Sequence, residues 1–290
     1  MGKWLILIGV VLLLCVAEWI REIHTFQTTH YKITSPKLNG LEKECKIVFL
    51  SDLHNNSYGK NNERLLQAVM NVKPDYILIG GDMVIGRKDA PQTVAEAFVK
   101  QLTSICPVYY ANGNHEFRMK INPHIYGDAY AKYKSSLEQA GVVFLENSCL
   151  ELQWKKFPIR ILGLEIPKEG YKKFSKAIIP LDEITNRIGQ AEKNGFQILL
   201  AHNPIYMDLY REWGADLVLS GHIHGGVVRI PFVGGVISPQ FRLFPKYSGE
   251  YKKLGNTSVV VSKGLGTHTI KMRFMNPAEV VVLHIEGENK

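Results

Sequence analysis

From Lys46 onward, short apolar runs rich in β-branched and aromatic residues alternate with stretches whose apolar positions recur at helical spacing. KIVFLSD, DYILIGGD and PVYYANGNHE read as three buried strands. A helix around Glu63–Val72 is expected after the first, a helical stretch near Pro91–Leu102 after the second, and another over Gly127–Ala140 after the third. Further strands are expected at PIRILGLE, FQILLAH and ADLVLSGH, and later at VVRI, TSVVVSKG and AEVVVLHI. An order that starts with βαβ units predicts layered sheets with flanking helices. No internal repeat, low-complexity stretch or obvious linker divides this region.

The N-terminus follows a different pattern. The run Trp4–Ile20 carries one charge, Glu18, near its end. As a helix it reaches roughly 26 Å, slightly short of a ~30 Å hydrocarbon core. Trp4 and Trp19 stand where the two interfaces would lie. A cleaved signal peptide is the rival, with Lys3 as its basic start, but Val16-Ala17-Glu18 is a poor cleavage site. A buried core helix is the third choice. The expected layout is an anchor over 1–20, a juxtamembrane segment over 21–44 and a catalytic domain over 45–290. Arg21, Lys32 and Lys37 outnumber Lys3 around the span, which favours a cytosolic domain.

Composition adds limits. With 46% apolar and 21% charged residues, the chain is neither disordered nor a multi-pass membrane protein. The net charge of +8 suits anionic partners, phosphorylated substrates and anionic lipid among them. Nucleic acid is disfavoured, because charge is its only support and no groove-reading motif is present. Cys15, Cys45, Cys106 and Cys149 form no CxxC pair. They read as small hydrophobes rather than a disulfide framework or zinc knuckle.

The chemistry lies where the apolar runs stop. Five of them end in polar clusters: Asp52-Leu53-His54, Gly80-Gly81-Asp82, Gly113-Asn114-His115-Glu116, Ala201-His202-Asn203 and Gly221-His222-Ile223-His224. Ligand crevices in open α/β sheets form at the carboxyl ends of strands. On extended backbone, residues i and i+2 share a face, so Asp52 with His54, and His222 with His224, are able to converge. Singly, each cluster has a plainer explanation as a turn, a helix cap or a hairpin. Five at strand ends do not.

The order D-x-H, GD, GNHE, H, GHxH resembles the calcineurin-like metallophosphoesterases, over about Lys46–His284. GHIHGGVVRIPFVGG, FPKYSGEY and VSKGLG are similar to its membrane-anchored bacterial branch, related to UDP-2,3-diacylglucosamine pyrophosphohydrolases of lipid A synthesis. The resemblance implies an α/β fold, a four-layer αββα sandwich of two packed mixed β-sheets flanked by helices. It also implies two divalent metals. Asp52, His54 and His224 would hold the first, Asn114, His202 and His222 the second, and Asp82 would bridge them. His115 would not ligate but would assist the leaving oxygen, with Asn114 orienting it. Mixed carboxylate and imidazole donors without thiolates point to manganese first, with iron or zinc as alternatives.

The reaction so implied is a metal-bridged hydroxide attacking the phosphorus of an ester or anhydride in line. The substrate is a phosphate ester or pyrophosphate, lipid-linked in one version, and the membrane is the partner of the N-terminal segment. A catalytically silent metal-binding scaffold is the alternative from another class. Further candidates are two-sided. Glu116 orients an imidazole or caps a helix. His124 and His268 line the pocket or lie on exposed loops. Arg273 holds a substrate phosphate or forms a surface ion pair. Tyr109 and Tyr110 adjoin the GNHE strand end, and one of them is expected in the core rather than as a stacking platform. Asn55-Asn56 stands where these enzymes often carry Leu-Gly, which leaves ligation intact but puts that loop's substrate contacts in question.

Overall fold

The computed structural model describes residues 2–172, 176–226, 228–230, 233–238, 243–267 and 271–288. His268 lies outside them. Two six-stranded sheets form the centre. The first has the order β1-β14-β2-β3-β4-β5, from Phe26–Ser35, Ala278–Gly287, Cys45–Leu50, Tyr76–Ile79, Val108–Tyr110 and Val143–Phe144. The second has the order β12-β13-β9-β8-β7-β6, from Tyr251–Leu254, Thr257–Val261, Leu217–Ser220, Phe196–Ala201, Phe157–Leu164 and Ser148–Trp154. A small hairpin pairs β10 (Arg229–Ile230) with β11 (Gly234–Gly235).

Alternation along the strands builds the layers. In β2, Cys45, Ile47 and Phe49 face the second sheet and meet Ile159, Ile198 and Leu217 in a central apolar layer. Val48 and Leu50 face the other way, toward α2 (Glu63–Val72), α3 (Thr93–Leu102) and α6 (Ala129–Gln139). On the far side of the second sheet, Leu199 and Val218 pack with α7 (Leu181–Ile188) and α8 (Met207–Trp213). The expected four layers are present, both sheets being mixed. Each fully buried Leu, Ile or Phe contributes about 1.5–3 kcal/mol of transfer energy to them. The helix expected around Glu63–Val72 has those bounds.

Two expectations change. The segment 21–44, read as a connector, contains β1, which pairs in parallel with β14 over ten residues from Phe26↔Ala278 to Ser35↔Gly287. The sheet therefore begins before residue 45. Its polar, half-exposed sequence FQTTHYKITS suits an edge strand, which lacks the long apolar run of a central one. Second, PVYYANGNHE is not one strand: β4 stops at Tyr110, and α4 (Asn114–Ile121) starts at Asn114, followed by α5 (Pro123–Tyr126). N-terminal to all of this, α1 (Gly2–His24) is one helix with none of its most apolar window buried.

Candidate metal centre

Five strands, β2, β3 and β4 from one sheet and β8 and β9 from the other, end at the same place. The loops beyond them are hydrogen-bonded to one another. Asp52 donates its amide to the Gly81 carbonyl, His54 to that of Asp82 and Gly221 to that of His202. Side chains must then turn inward over a very short span. Asp52, His54, Asp82, His222 and His224 all adopt left-handed backbone, with φ of 56°, 48°, 54°, 69° and 53°. Such a conformation costs ~1–2 kcal/mol per non-glycine residue, and it recurs where a site imposes it. Asp52 and His54 thus converge through a turn, not through the extended backbone expected. Close approach also fixes two glycines. A Cβ on Gly221 would collide with Ser51 Oγ and Asp52 Oδ2, and one on Gly113 with Asp82 Oδ1.

The buried donors form overlapping groups, each within 4.8 Å: Asp52, His54 and His224; Asp82, His202 and His222; and His54, Asp82 and His115. His222 and His224, able to share a face on extended backbone, fall into different groups, the division that the resemblance implies. In the first, His224 Nε2 lies 3.2 Å from Asp52 Oδ1 and 3.1 Å from His54 Nε2. In the second, His202 Nε2 is 3.1 Å from Asp82 Oδ2 without an aligned hydrogen bond. His202 Nδ1 contacts the Gly80 carbonyl at 2.7 Å, which leaves Nε2 to face the carboxylates. Asn114 Oδ1 is likewise buried with no hydrogen-bond partner.

Asp52 is raised to about 6 by burial and by the nearby Asp82 charge, against the pull of His202. Burial opposes Asp82 too, but His202, His115 and His54 outweigh it and hold that carboxyl well below its ordinary value. Burial would lower His202, yet Asp82 and Asp52 push it up to about 10, so in the metal-free chain its ring holds a second proton. Metal binding displaces such a proton. A buried Asn114 Oδ1 without a hydrogen-bond partner beside clustered carboxylates and imidazoles, with no thiolate, fits two divalent cations.

His115 sits in the first turn of α4. Its Nδ1 accepts the Gly86 amide hydrogen at 2.7 Å, with the Arg118 guanidinium 3.2 Å away. The neutral ring therefore carries its proton on Nε2, 3.9 Å from Asp82 Oδ2. Glu116 orients no imidazole. Its carboxylate accepts the amides of Asp82 and Met83, both at 2.8 Å, that of Gly113 at 3.1 Å and the Tyr110 hydroxyl at 2.8 Å. It thus caps α4 and fixes the Asp82 loop in one stroke.

Other residues resolve one way. Arg273 is buried and donates to the carbonyls of Lys263, Gly264, Gly266 and Asn276, so it holds a loop and neither a phosphate nor a surface ion pair. His124 is exposed on α5. Tyr109 and Tyr110 are core, Tyr110 also contacting the Tyr133 hydroxyl. Asn55 and Asn56 donate to the carbonyls of Pro91 and Leu265. Two residues gave no sequence signal. Tyr171 lays its ring 5.5 Å from that of His222. Asn276 donates to the carbonyls of His224 at 2.7 Å and Gly226 at 2.6 Å, bracing the second histidine loop.

Comparisons with known proteins agree with this geometry. The family model of the calcineurin-like phosphoesterases matches residues 45–226. An uncharacterized metallophosphoesterase of Helicobacter pylori is 29% identical over 89% of this chain, which spans 64% of that relative's length. The uncharacterized metallophosphoesterase YkuE of Bacillus subtilis is 26% identical over 92% of this chain and 88% of its own. The phosphodiesterase YaeI of Escherichia coli is 25% identical over 77% and 75%. Among solved structures, a phosphopantetheinyl hydrolase of Mycobacterium tuberculosis aligns with 79% of this chain and 95% of its own, at 14% identity and a TM-score of 0.48. With the motif order, the strand-end centre and the family match in agreement, the chain belongs to the calcineurin-like phosphoesterase family.

Proposed function

We propose that this chain is a membrane-anchored, metal-dependent hydrolase of phosphoric esters or anhydrides. The observation that carries it is the pair of buried donor groups, Asp52–His54–His224 and Asp82–His202–His222, each with its ligand atoms within 4.8 Å of one another, as a bound cation requires. Asp52, His54 and His224 would hold one ion, Asn114, His202 and His222 the other, with Asp82 shared. Two bound ions supply charge neutralisation for a phosphoryl group and an activated water. The chain's own residues do the rest. Glu116 and the Gly113–Asp82 contact fix the shared carboxylate. His115 directs its Nε2 hydrogen toward the centre, where it hydrogen-bonds a phosphoryl or leaving oxygen.

Retention of α1 is supported by its last turn. Glu22 is fully buried and accepts the Asn276 amide at 2.9 Å, so the apolar helix runs into the folded domain rather than ending before it. Manganese remains the first choice of ion, on the mixed donor set alone. The reading is tested on purified full-length chain loaded with Mn²⁺. The substrates are a phosphodiester, a phosphomonoester and a nucleotide-sugar pyrophosphate, with metal content measured alongside. Two ions per chain and turnover of one class are expected. Two ions with no hydrolysis of any class would favour a silent metal-binding scaffold instead.

A further inference from the structure

Eleven large apolar residues outside α1 are exposed among the described residues, and six of them lie in one region of the chain: Ile230, Val233, Leu243, Phe244, Met272 and Met275. Hydrogen bonds join their segments. Arg229 donates its amide to the Phe274 carbonyl, Val236 to that of Val228 and Phe244 to that of Val236. Ile230, Val233 and Met275 line one open depression together with Arg229, Lys246 and Lys252. Glu250 lines it too and pairs with Arg229 and Lys252, but three cations to one acid leave positive charge in excess. Apolar side chains beside excess positive charge are the composition of surfaces that rest on anionic lipid.

The same region receives the apolar helix. Trp19 donates its indole N–H to the Lys271 carbonyl at 2.9 Å, and Glu22 accepts the Asn276 amide. Met272 and Met275 stand between those two attachment points in sequence. A helix fixed there brings whatever surrounds it to the same face. We propose that the β10–β11 hairpin, Leu243–Phe244 and the 271–276 loop form a bilayer-contacting face. Asn276 then joins that face to the His224 loop and sets the metal centre beside the lipid surface. The proposal rests on the membrane reading of α1 and adds to it which side of the domain touches the membrane. The occupant is an anionic bilayer, not a second copy of the chain.

The test uses full-length chain in single-copy nanodiscs of phosphatidylcholine and phosphatidylglycerol with brominated acyl chains. Native Trp4 and Trp19 report on α1, and loss of their emission is expected on its insertion. Phe244→Trp and, as a control on helix α2, which is not part of the proposed face, Met70→Trp each add one indole. An indole seated roughly 5–10 Å into the headgroup–acyl boundary should be quenched by the brominated lipid. The added emission of Phe244→Trp should therefore fall and shift to the blue, and that of Met70→Trp should do neither. Equal, unquenched behaviour of the two added indoles, with Trp4 and Trp19 quenched, overturns the face while leaving the anchor intact. A blue-shifted but unquenched indole at 244 overturns it in favour of contact with protein. Unquenched Trp4 and Trp19, read against the background of Trp154 and Trp213 in the folded domain, remove the anchor reading and the face with it.

Discussion

Asp52 and Asp82 are equally buried carboxylates in one centre, yet they are pushed in opposite directions. Asp52 is raised to about 6, whereas Asp82 is held well below its ordinary value. The difference is in their company. Asp52 takes the Ser51 hydroxyl and the His222 amide, neutral donors from both sheets. Each also has three imidazoles within 3.9 Å, but His202 Nε2 lies 3.1 Å from Asp82 against 3.8 Å from Asp52. Asp82 also accepts the His115 amide at 2.7 Å, and the ionised Asp82 itself pushes Asp52 up. Burial alone sets no charge state; the surrounding donors decide which acid stays ionised. The contrast suits the proposed roles, Asp82 shared between two cations and Asp52 on one.

Breaking that asymmetry should have its largest effect at the shared acid. Asp82→Asn should abolish most turnover and lower total metal content, whereas Asp52→Asn should spare the ion of the other group. Metal analysis of the two variants decides it, and two ions with normal turnover in Asp82→Asn would sink the shared role. Next comes His115→Ala, expected to lose ~10²–10⁴-fold in rate with both ions retained. The loss should shrink on an ester with a nitrophenolate leaving group, which needs little help in departing. Loss of an ion would make His115 a ligand instead.

A smaller effect concerns pH and the metal-free chain. Glu116 is raised to about 7 by burial and the Asp82 charge, and Asp52 to about 6. In the folded chain both acids keep protons that the unfolded chain has lost. Stability should therefore fall as pH rises from their ordinary values, 4.5 and 3.8, through about 6 to 7. Glu116→Gln should flatten that slope in thermal melts; an unchanged slope would remove Glu116 from the account. The smallest expected effect is none. His124→Ala, at an exposed position, should leave turnover and melting temperature unaltered.

The strand-end clusters were legible because a polar residue closing an apolar run is a local signal. All five reach one centre. Their backbone was less legible: the inward turns at Asp52 and Asp82 are imposed by packing between two loops, which no window of sequence contains. The helix at Asn114 had a signal, Glu116 three residues after Gly113, but glycine is a weaker cap cue than serine or aspartate. β1 escaped because an edge strand shares its polarity with a linker. Asn276 and Tyr171 act through contacts far off in the chain, so nothing near them marks their roles.

The pairing of β1 with β14 has a consequence for biosynthesis. Every proposed metal-binding residue lies between positions 52 and 224, yet β14, which separates β1 from β2, is made last. While the chain is still on the ribosome, β1 has no neighbour and β2 has a bare edge. Sheet closure must then await the emergence of β14 from the ribosome. A stop codon ahead of Ala278 would leave every ligand of the centre translated and the sheet beneath it open, a species for proteolysis rather than for catalysis.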